Sequence, residues 1–283
     1  MLVAIAAVLG YPIVNLVELS LQQYGLFQLI NHHGIYIGLA NYSSIFGNSV
    51  FWHVLIRTVL FTAVNVGLTM GLGMLIALLL GRVSTWVRLM LTVALVLAWS
   101  TPPVVGVEIW QWMTNSQNGV LNYALTQLHI GNFFQHDWYT STVSQYAMVT
   151  TLLVWGALPF VTITLYAALS QVPHELVEAA QLDGAGARRV FSAVTLPVIR
   201  PMLLILVSLS IIWDFSVFTQ PFLLIGASQQ NPSNYLMSVY LYVEGYGQTN
   251  FGLGAAISIV MLLIVAVLSI FYCLLYTSPS PRD

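Results

Sequence analysis

The sequence predicts an all-α, polytopic membrane protein with six transmembrane helices, and three observations carry that reading. Hydrophobic residues make up 58% of the chain and charged residues 6%, whereas an ordinary globular domain carries about a quarter charged residues. So little charge cannot cover the surface of a soluble fold. Six stretches also reach the roughly 20 mostly apolar residues that a bilayer-spanning helix needs. The net charge is −2, the chain has no lysine, and no basic patch suggests nucleic acid as a partner. The single cysteine, Cys273, lies in an apolar run and reads as a small packing residue.

The first span covers about 2–21 and starts at once in apolar residues. It lacks the positive lead and small-residue cleavage site of a secretory signal, so we read a membrane helix whose cytoplasmic lead-in is missing or trimmed. A polar-aromatic loop follows and contains Gly38-Leu-Ala-Asn-Tyr42. The second span covers about 52–80; Gly67 and Gly71 form a G-x-x-x-G pair with Gly73 nearby, the pattern of close helix–helix packing. A short turn with Arg82 leads to the third span, about 89–112, where Thr101-Pro102-Pro103 predicts a kink or break.

The longest loop, 113–144, is rich in Asn, Gln, His and aromatics. The fourth span, about 145–169, contains Pro159. A charged stretch over 171–200 comes next. The fifth span covers about 201–225 and the sixth about 251–276, with a polar loop separating them. The tail over 277–283 continues no pattern and reads as non-native.

Arginine placement sets the orientation. With the N-terminus inside, the inner segments hold Arg82, Arg88, Arg188, Arg189, Arg200 and the tail Arg282, against Arg57 alone on the outer side. The charged stretch is therefore expected in the cytoplasm and the 113–144 loop outside.

Six of the 16 charged residues fall in that stretch: Glu175, Glu178, Asp183, Arg188, Arg189 and Arg200. Pro173 suits the first turn of a helix, where its missing N–H costs nothing. Glu175 and Glu178 suit the early turns, where negative charge complements the helix dipole. Ala179 and Ala180 leave a bare patch for close approach. Asp183-Gly184 ends the helix, the glycine supplying a left-handed cap. A second short helix is expected over 187–194, stopped by Leu196-Pro197, with Pro201 opening the next span.

Glu178-Ala179-Ala180, Asp183-Gly184-Ala185, Phe191 and Leu196-Pro197 resemble the EAA loop of permease subunits in bacterial ABC importers. The resemblance extends over nearly the whole chain. Gly38-Leu-Ala-Asn-Tyr42, Gln117-Asn-Gly-Val-Leu-Asn122 and Trp155-x-x-x-Pro159 look like the carbohydrate-uptake branch, and within it the first permease of a glycerol-phosphate, maltose or trehalose type pair. Many sugar permeases carry a Gly-Gly-Pro run after the fifth span, where this chain reads Leu224-Ile-Gly-Ala-Ser-Gln-Gln-Asn-Pro232.

The resemblance implies a type I importer permease fold in the bacterial plasma (inner) membrane. It implies a second permease, two ATP-binding subunits and an extracellular solute-binding protein or lipoprotein as partners. Glu175, Glu178, Ala179, Ala180, Asp183, Gly184 and Arg188 would then couple this chain to the ATPase. ATP and Mg would be bound by that partner, with no cofactor in this chain. A disaccharide such as trehalose is the implied cargo.

Sugars stack on aromatic faces and bond to a few fixed polar groups, and polar residues inside a span mark a pathway or a helix contact. Trp155, Gly156 and Phe160 bracket Pro159 in the fourth span. In the fifth, Ser210, Trp213, Asp214 and Phe218 are expected on one broad helix face. By resemblance, Ser210, Trp213 and Asp214, with Gly156, Ala157 and Phe160, match sugar-contacting positions of a maltose-type permease, which carries an amide where Asp214 stands. Asp214 accepts sugar hydroxyls or pairs with a neighbour such as Arg57. Trp155 and Trp213 read equally as packing residues. Glu108 reads as a gating or inter-subunit contact, or as a solvated helix end.

His32-His33 has no accompanying ligand at metal spacing, and no Gly-x-x-x-x-Gly-Lys-Ser/Thr phosphate loop occurs. The chain is therefore expected to be a transport subunit and not an enzyme. The alternatives are an ABC permease for a non-sugar solute and an ion-coupled secondary transporter, for which Glu108 and Asp214 are few carboxylates.

Overall fold

The computed structural model describes residues 2–226 and 231–277. The tail from residue 278, with Arg282, the side chain of Cys273 and the middle of the run 224–232 lie outside the described residues. The chain divides into two compact units: unit one is Met1–Leu60, Phe215–Phe218 and Ala227–Ile270, and unit two is Phe61–Asp214, Thr219–Gly226 and Phe271–Asp283.

Unit one begins with α1 (Leu2–Ser20), then a small antiparallel ribbon pairing β1 (Gln22–Gln23) with β2 (Ile35–Tyr36) around α2 (Leu26–Asn31). His32 closes α2 in a left-handed cap at φ 54°. The Gly38–Tyr42 motif then has a structural task. Asn41, at the start of α3 (Ala40–Gly47), donates through Nδ2 to the carbonyls of Ser20 and Gln22, both at 2.9 Å. The Tyr42 hydroxyl donates to Ser20 Oγ at 2.8 Å. The first of these bonds satisfies the Ser20 carbonyl at the end of α1, which a buried helix terminus requires.

Next comes α4 (Ser49–Leu80), whose first half belongs to unit one. Arg57 donates to the carbonyls of Pro232 and Tyr235, each at 3.1 Å. Thr58 Oγ1 accepts the N–H of Met237 at 2.9 Å, at the head of α13 (Met237–Tyr242). A π-helical turn, Val243–Gly247, follows α13, and α14 (Phe251–Thr277) completes the unit with its part up to Ile270. Ile45, Phe51, Val54, Met237, Tyr240 and Ile257 are its fully buried core.

Unit two contains the rest of α4, α5 (Thr85–Trp99) and α6 (Pro103–Met113). The break expected at Thr101-Pro102-Pro103 is present: α5 and α6 are bent by 100° there. Arg88 folds back, donating from Nε to the Leu80 carbonyl at 2.8 Å and from its terminal amine to that of Val83 at 3.2 Å, which caps the C-terminus of α4. A short helix, α7 (Val120–Gln127), precedes α8 (Thr142–Leu169), and α8 packs on both halves of the bent pair. Ala77, Val161, Leu165 and Leu206 are buried together, with Met70, Met74, Met202 and Leu203 around them.

Two expectations about the fifth span are corrected. No stop occurs at Leu196-Pro197. The short α10 (Ala187–Val190) runs through a π-helical turn, Phe191–Thr195, into α11 (Leu196–Phe215), giving 29 continuous residues from Ala187. Within the π turn the Leu196 N–H bonds to the Phe191 carbonyl, and this wider ladder accommodates a proline that cannot donate. The span also ends at Phe215, ten residues short of the predicted end, and α12 (Thr219–Ile225) is a separate helix. Pro221 cannot donate back to the Val217 carbonyl; Ser238 Oγ takes that acceptor instead. Pro221 then sits in the first turn of α12, where its missing N–H is harmless.

Among the described residues, four helices are long and apolar enough to cross a membrane: Ser49–Leu80, Thr142–Leu169, Ala187–Phe215 and Phe251–Ile270. The bent pair Thr85–Trp99 and Pro103–Met113 makes a fifth if counted as one span.

The small-residue contact of α4 differs from expectation. A Cβ at Gly67 or Gly71 would meet nothing within 4 Å, whereas one at Gly73 would come 2.8 Å from Val161 Cγ1. The close approach within this chain is therefore Gly73 against α8. Gly73→Leu should destabilise the detergent-solubilised protein by about 1–3 kcal/mol through overpacking. Gly71→Ala should leave it unchanged. Thermal unfolding followed by fluorescence-detected size exclusion checks both, and equal melting of the two variants would sink the assignment.

Candidate functional site

The charged stretch folds as α9 (His174–Leu182), a tight turn, and the start of the long helix at Ala187. Pro173 takes the N-cap position and Glu175 lies in the first turn. Gly184 adopts φ +81°. The Ala185 N–H bonds to the Ala180 carbonyl and the Gly184 N–H to that of Gln181, both at 3.0 Å. This is the doubled closing pattern in which a left-handed residue satisfies the last carbonyls of a helix. The helix end expected at Asp183-Gly184 is thus present.

Little apolar contact anchors α9. No residue of α9 is fully buried, and Val177 alone packs against the cluster of Ala168, Val172 and Ile199. Leu176 is 49% exposed and Leu182 88%, beside exposed Glu175, Glu178, Ala179 and Asp183. Arg188 and Arg189 are exposed in the first turn of the continuous helix from Ala187. Cations at that end oppose the helix dipole, typically by 0.3–1 kcal/mol each. The folded chain gives them no compensating ion pair among the described residues.

A second cluster lies among the apolar helices of unit two. The rings of Trp99 on α5 and Phe160 on α8 stack at 6.0 Å between centroids, and Phe160 meets Trp213 on α11 at 5.6 Å. Trp110 on α6 and Trp155 on α8 approach to 5.0 Å. Trp99 and Trp213 remain 57% and 52% exposed, so each turns an aromatic face outward. Gly156 opens onto space, since a Cβ there would meet nothing within 4 Å. Ala157 is half-buried and Ser210 buried on neighbouring turns, with Asp214 one residue beyond Trp213.

The structure therefore brings Trp155, Phe160, Trp213 and their neighbours together. It does not extend their shared helix face to Phe218, because α11 ends at Phe215; Phe218 belongs to unit one, where its ring packs on Tyr242 at 5.1 Å. Within unit one, Arg57 hydrogen-bonds to the carbonyls of Pro232 and Tyr235. Glu108 is exposed on α6. Trp99 and Trp110 were not singled out by the sequence reading; the signal available was that each flanks the Thr101-Pro102-Pro103 break.

A family profile described as "Binding-protein-dependent transport system inner membrane component" matches residues 70–282. The chain belongs to this family. The matched region takes in both the α9 surface and the aromatic cluster. The diacetylchitobiose uptake system permease protein DasB of Streptomyces coelicolor is 40% identical over 269 residues, covering 95% of this chain and 82% of that protein. The trehalose/maltose transport system permease protein MalF of Thermococcus litoralis is 29% identical over 267 residues, covering 92% and 88%. Among solved structures, a bacterial alginate ABC transporter in complex with an alginate pentasaccharide-bound periplasmic protein superposes with a TM-score of 0.79 at 19% identity, over 96% of this chain and 89% of that one. This chain shares the fold of that transporter chain.

Proposed function

We propose that this chain is one of two permease subunits of an ATP-driven importer in the bacterial plasma membrane, and that its cargo is a neutral disaccharide. The observation that carries the sugar reading is the three-ring surface of Trp99, Phe160 and Trp213 beside the open backbone at Gly156. Aromatic faces next to a few fixed polar groups are how a mostly apolar cavity holds a sugar. The 40% identity to a diacetylchitobiose permease favours that disaccharide over trehalose or maltose.

In this reading the chain crosses the membrane six times, as the first permease of its pair. α9 and the turn at Gly184 face the cytoplasm and dock on an ATP-binding subunit through Glu175, Glu178, Ala179, Ala180, Asp183, Gly184 and Arg188. The exposure of Leu182 and the uncompensated arginines support a partner at this surface. ATP and Mg are bound in that subunit. Closure of two such subunits draws the docked helices together and opens the membrane path outward, where an extracellular binding protein delivers the sugar. Hydrolysis restores the inward-facing state. Glu108, exposed on α6, is a contact to the second permease or a gate.

The test is purification of the tagged chain from its own membranes, followed by reconstitution with the co-purifying subunits and uptake of radiolabelled diacetylchitobiose, maltose, trehalose and histidine. An ATPase and a second permease should co-purify, and one disaccharide should accumulate only with ATP. Accumulation of histidine instead would overturn the sugar reading. Uptake driven by an ion gradient without ATP would overturn the importer reading.

A further inference from the structure

A cavity of about 550 Å³ is built wholly within unit two by the end of α6 and the segment that joins it to α8. Its floor is rigid. Buried Asn122 donates to the His136 carbonyl at 2.8 Å and accepts from the Trp138 indole at 2.7 Å. Trp138 stacks on Phe133 at 5.5 Å behind it. Thr126 Oγ1 donates to the Asn122 carbonyl at 2.8 Å and accepts the Phe133 N–H at 3.2 Å. The chain also approaches itself closely at Gly119, where a Cβ would lie 2.3 Å from the Asn115 carbonyl oxygen.

The rim is the opposite of the floor. Trp112, Tyr123 and Phe134 line the cavity while remaining 67%, 67% and 77% exposed. The side-chain amides of Gln117, Asn118, Gln127 and Gln135 also line it. None of these four amides makes a hydrogen bond within the chain among the described residues, whereas Asn122 below them uses both ends of its amide. Gln135 is held at φ 55°, a conformation uncommon outside glycine. The lining contains no charged side chain.

Open aromatic faces with neutral amides, each able to donate and accept, suit a neutral polyhydroxylated ligand. A phosphate or a carboxylate would find no cation there. We propose that this cavity is a second carbohydrate site, separate from the aromatic cluster of the apolar helices, that receives sugar on the outer side before it enters the membrane path. The outer placement and the sugar class rest on the function proposed above.

Photoreactive diazirine derivatives of diacetylchitobiose, maltose and trehalose test it, applied to native membranes holding the full chain with its associated subunits. At least one derivative should label peptides within 112–135, and excess unmodified disaccharide should suppress the label. Tyr123→Ala combined with Gln127→Ala should cut loop labelling about fivefold or more, since aromatic and amide contacts are both lost. Labelling within 155–160 and 210–214 should persist. Labelling confined to those membrane segments would overturn the loop site and leave the sugar reading standing. Loop labelling indifferent to the double variant would also overturn it. Labelling of neither region by any of the three sugars would remove both readings. Tyr123→p-benzoylphenylalanine supplies a second readout. Capture of a protein that excess disaccharide does not reduce would make the cavity a protein contact and overturn the proposal.

Discussion

Gly184→Val should leave the membrane helices folded and remove transport. Gly184 sits at φ +81°, and a Cβ there would meet nothing within 4 Å, so the cost of a side chain falls on the backbone alone. For an ordinary L-residue that cost is roughly 1–2 kcal/mol, and a β-branched one is worse. The change therefore shifts the local balance away from the closed end of α9 by about tenfold. The bonds from Ala185 to Ala180 and from Gly184 to Gln181 are lost with it, and Glu178 and Ala179 leave their positions. Uptake by the reconstituted assembly should fall about tenfold or more, while ATPase activity no longer responds to sugar. Gly184→Asn should keep most of the uptake, because asparagine tolerates the left-handed region. Membrane yield and thermal unfolding should match the parent in both. Wild-type uptake by Gly184→Val would remove α9 from the coupling role.

Phe160→Ala should raise the KM for the transported disaccharide about tenfold with little change in the maximal rate. Phe160 is the middle ring, in contact with both Trp99 and Trp213. Each aromatic pair contributes about 0.5–1.5 kcal/mol beyond its buried area, and losing the middle ring releases both outer faces. Trp213→Ala should give a similar shift. The double variant should fall short of the product of the two, because neighbours in contact do not act additively. Trp86→Ala is the control: it lies on α5 with Trp99, 75% exposed, and should leave KM unchanged. Equal effects of Trp86→Ala and Phe160→Ala would mean that the cluster holds the fold rather than the sugar.

Much of this architecture was legible because its signals are local. The bend at Thr101-Pro102-Pro103 follows from proline geometry, and the end of α9 from a glycine able to adopt positive φ. Composition alone announces helices that are apolar on most faces. What escaped the sequence depends on partners distant along the chain. Leu196-Pro197 reads as a stop, yet a wider turn of helix absorbs the missing donor. The break at 216–218 depends on Ser238, some twenty residues later, supplying a donor for the Val217 carbonyl. The aromatic cluster draws single residues from α5, α8 and α11, so periodicity within any one segment could show only part of it. Gly67 and Gly71 have the spacing of a helix contact, but spacing cannot say which helix they meet.

The π turn at Phe191–Thr195 also sets a phase. One helix runs unbroken from Arg188 to Trp213, about 38 Å at 1.5 Å per residue, with an exposed charge near one end and an aromatic face near the other. An extra residue in one turn rotates everything beyond it by about 100° relative to a regular helix. The direction in which Trp213 points is thereby keyed to the direction in which Arg188 points. Shortening the turn by one residue would leave the helix continuous and Arg188 in place, yet turn Trp213 away from Phe160 like a key cut one notch off.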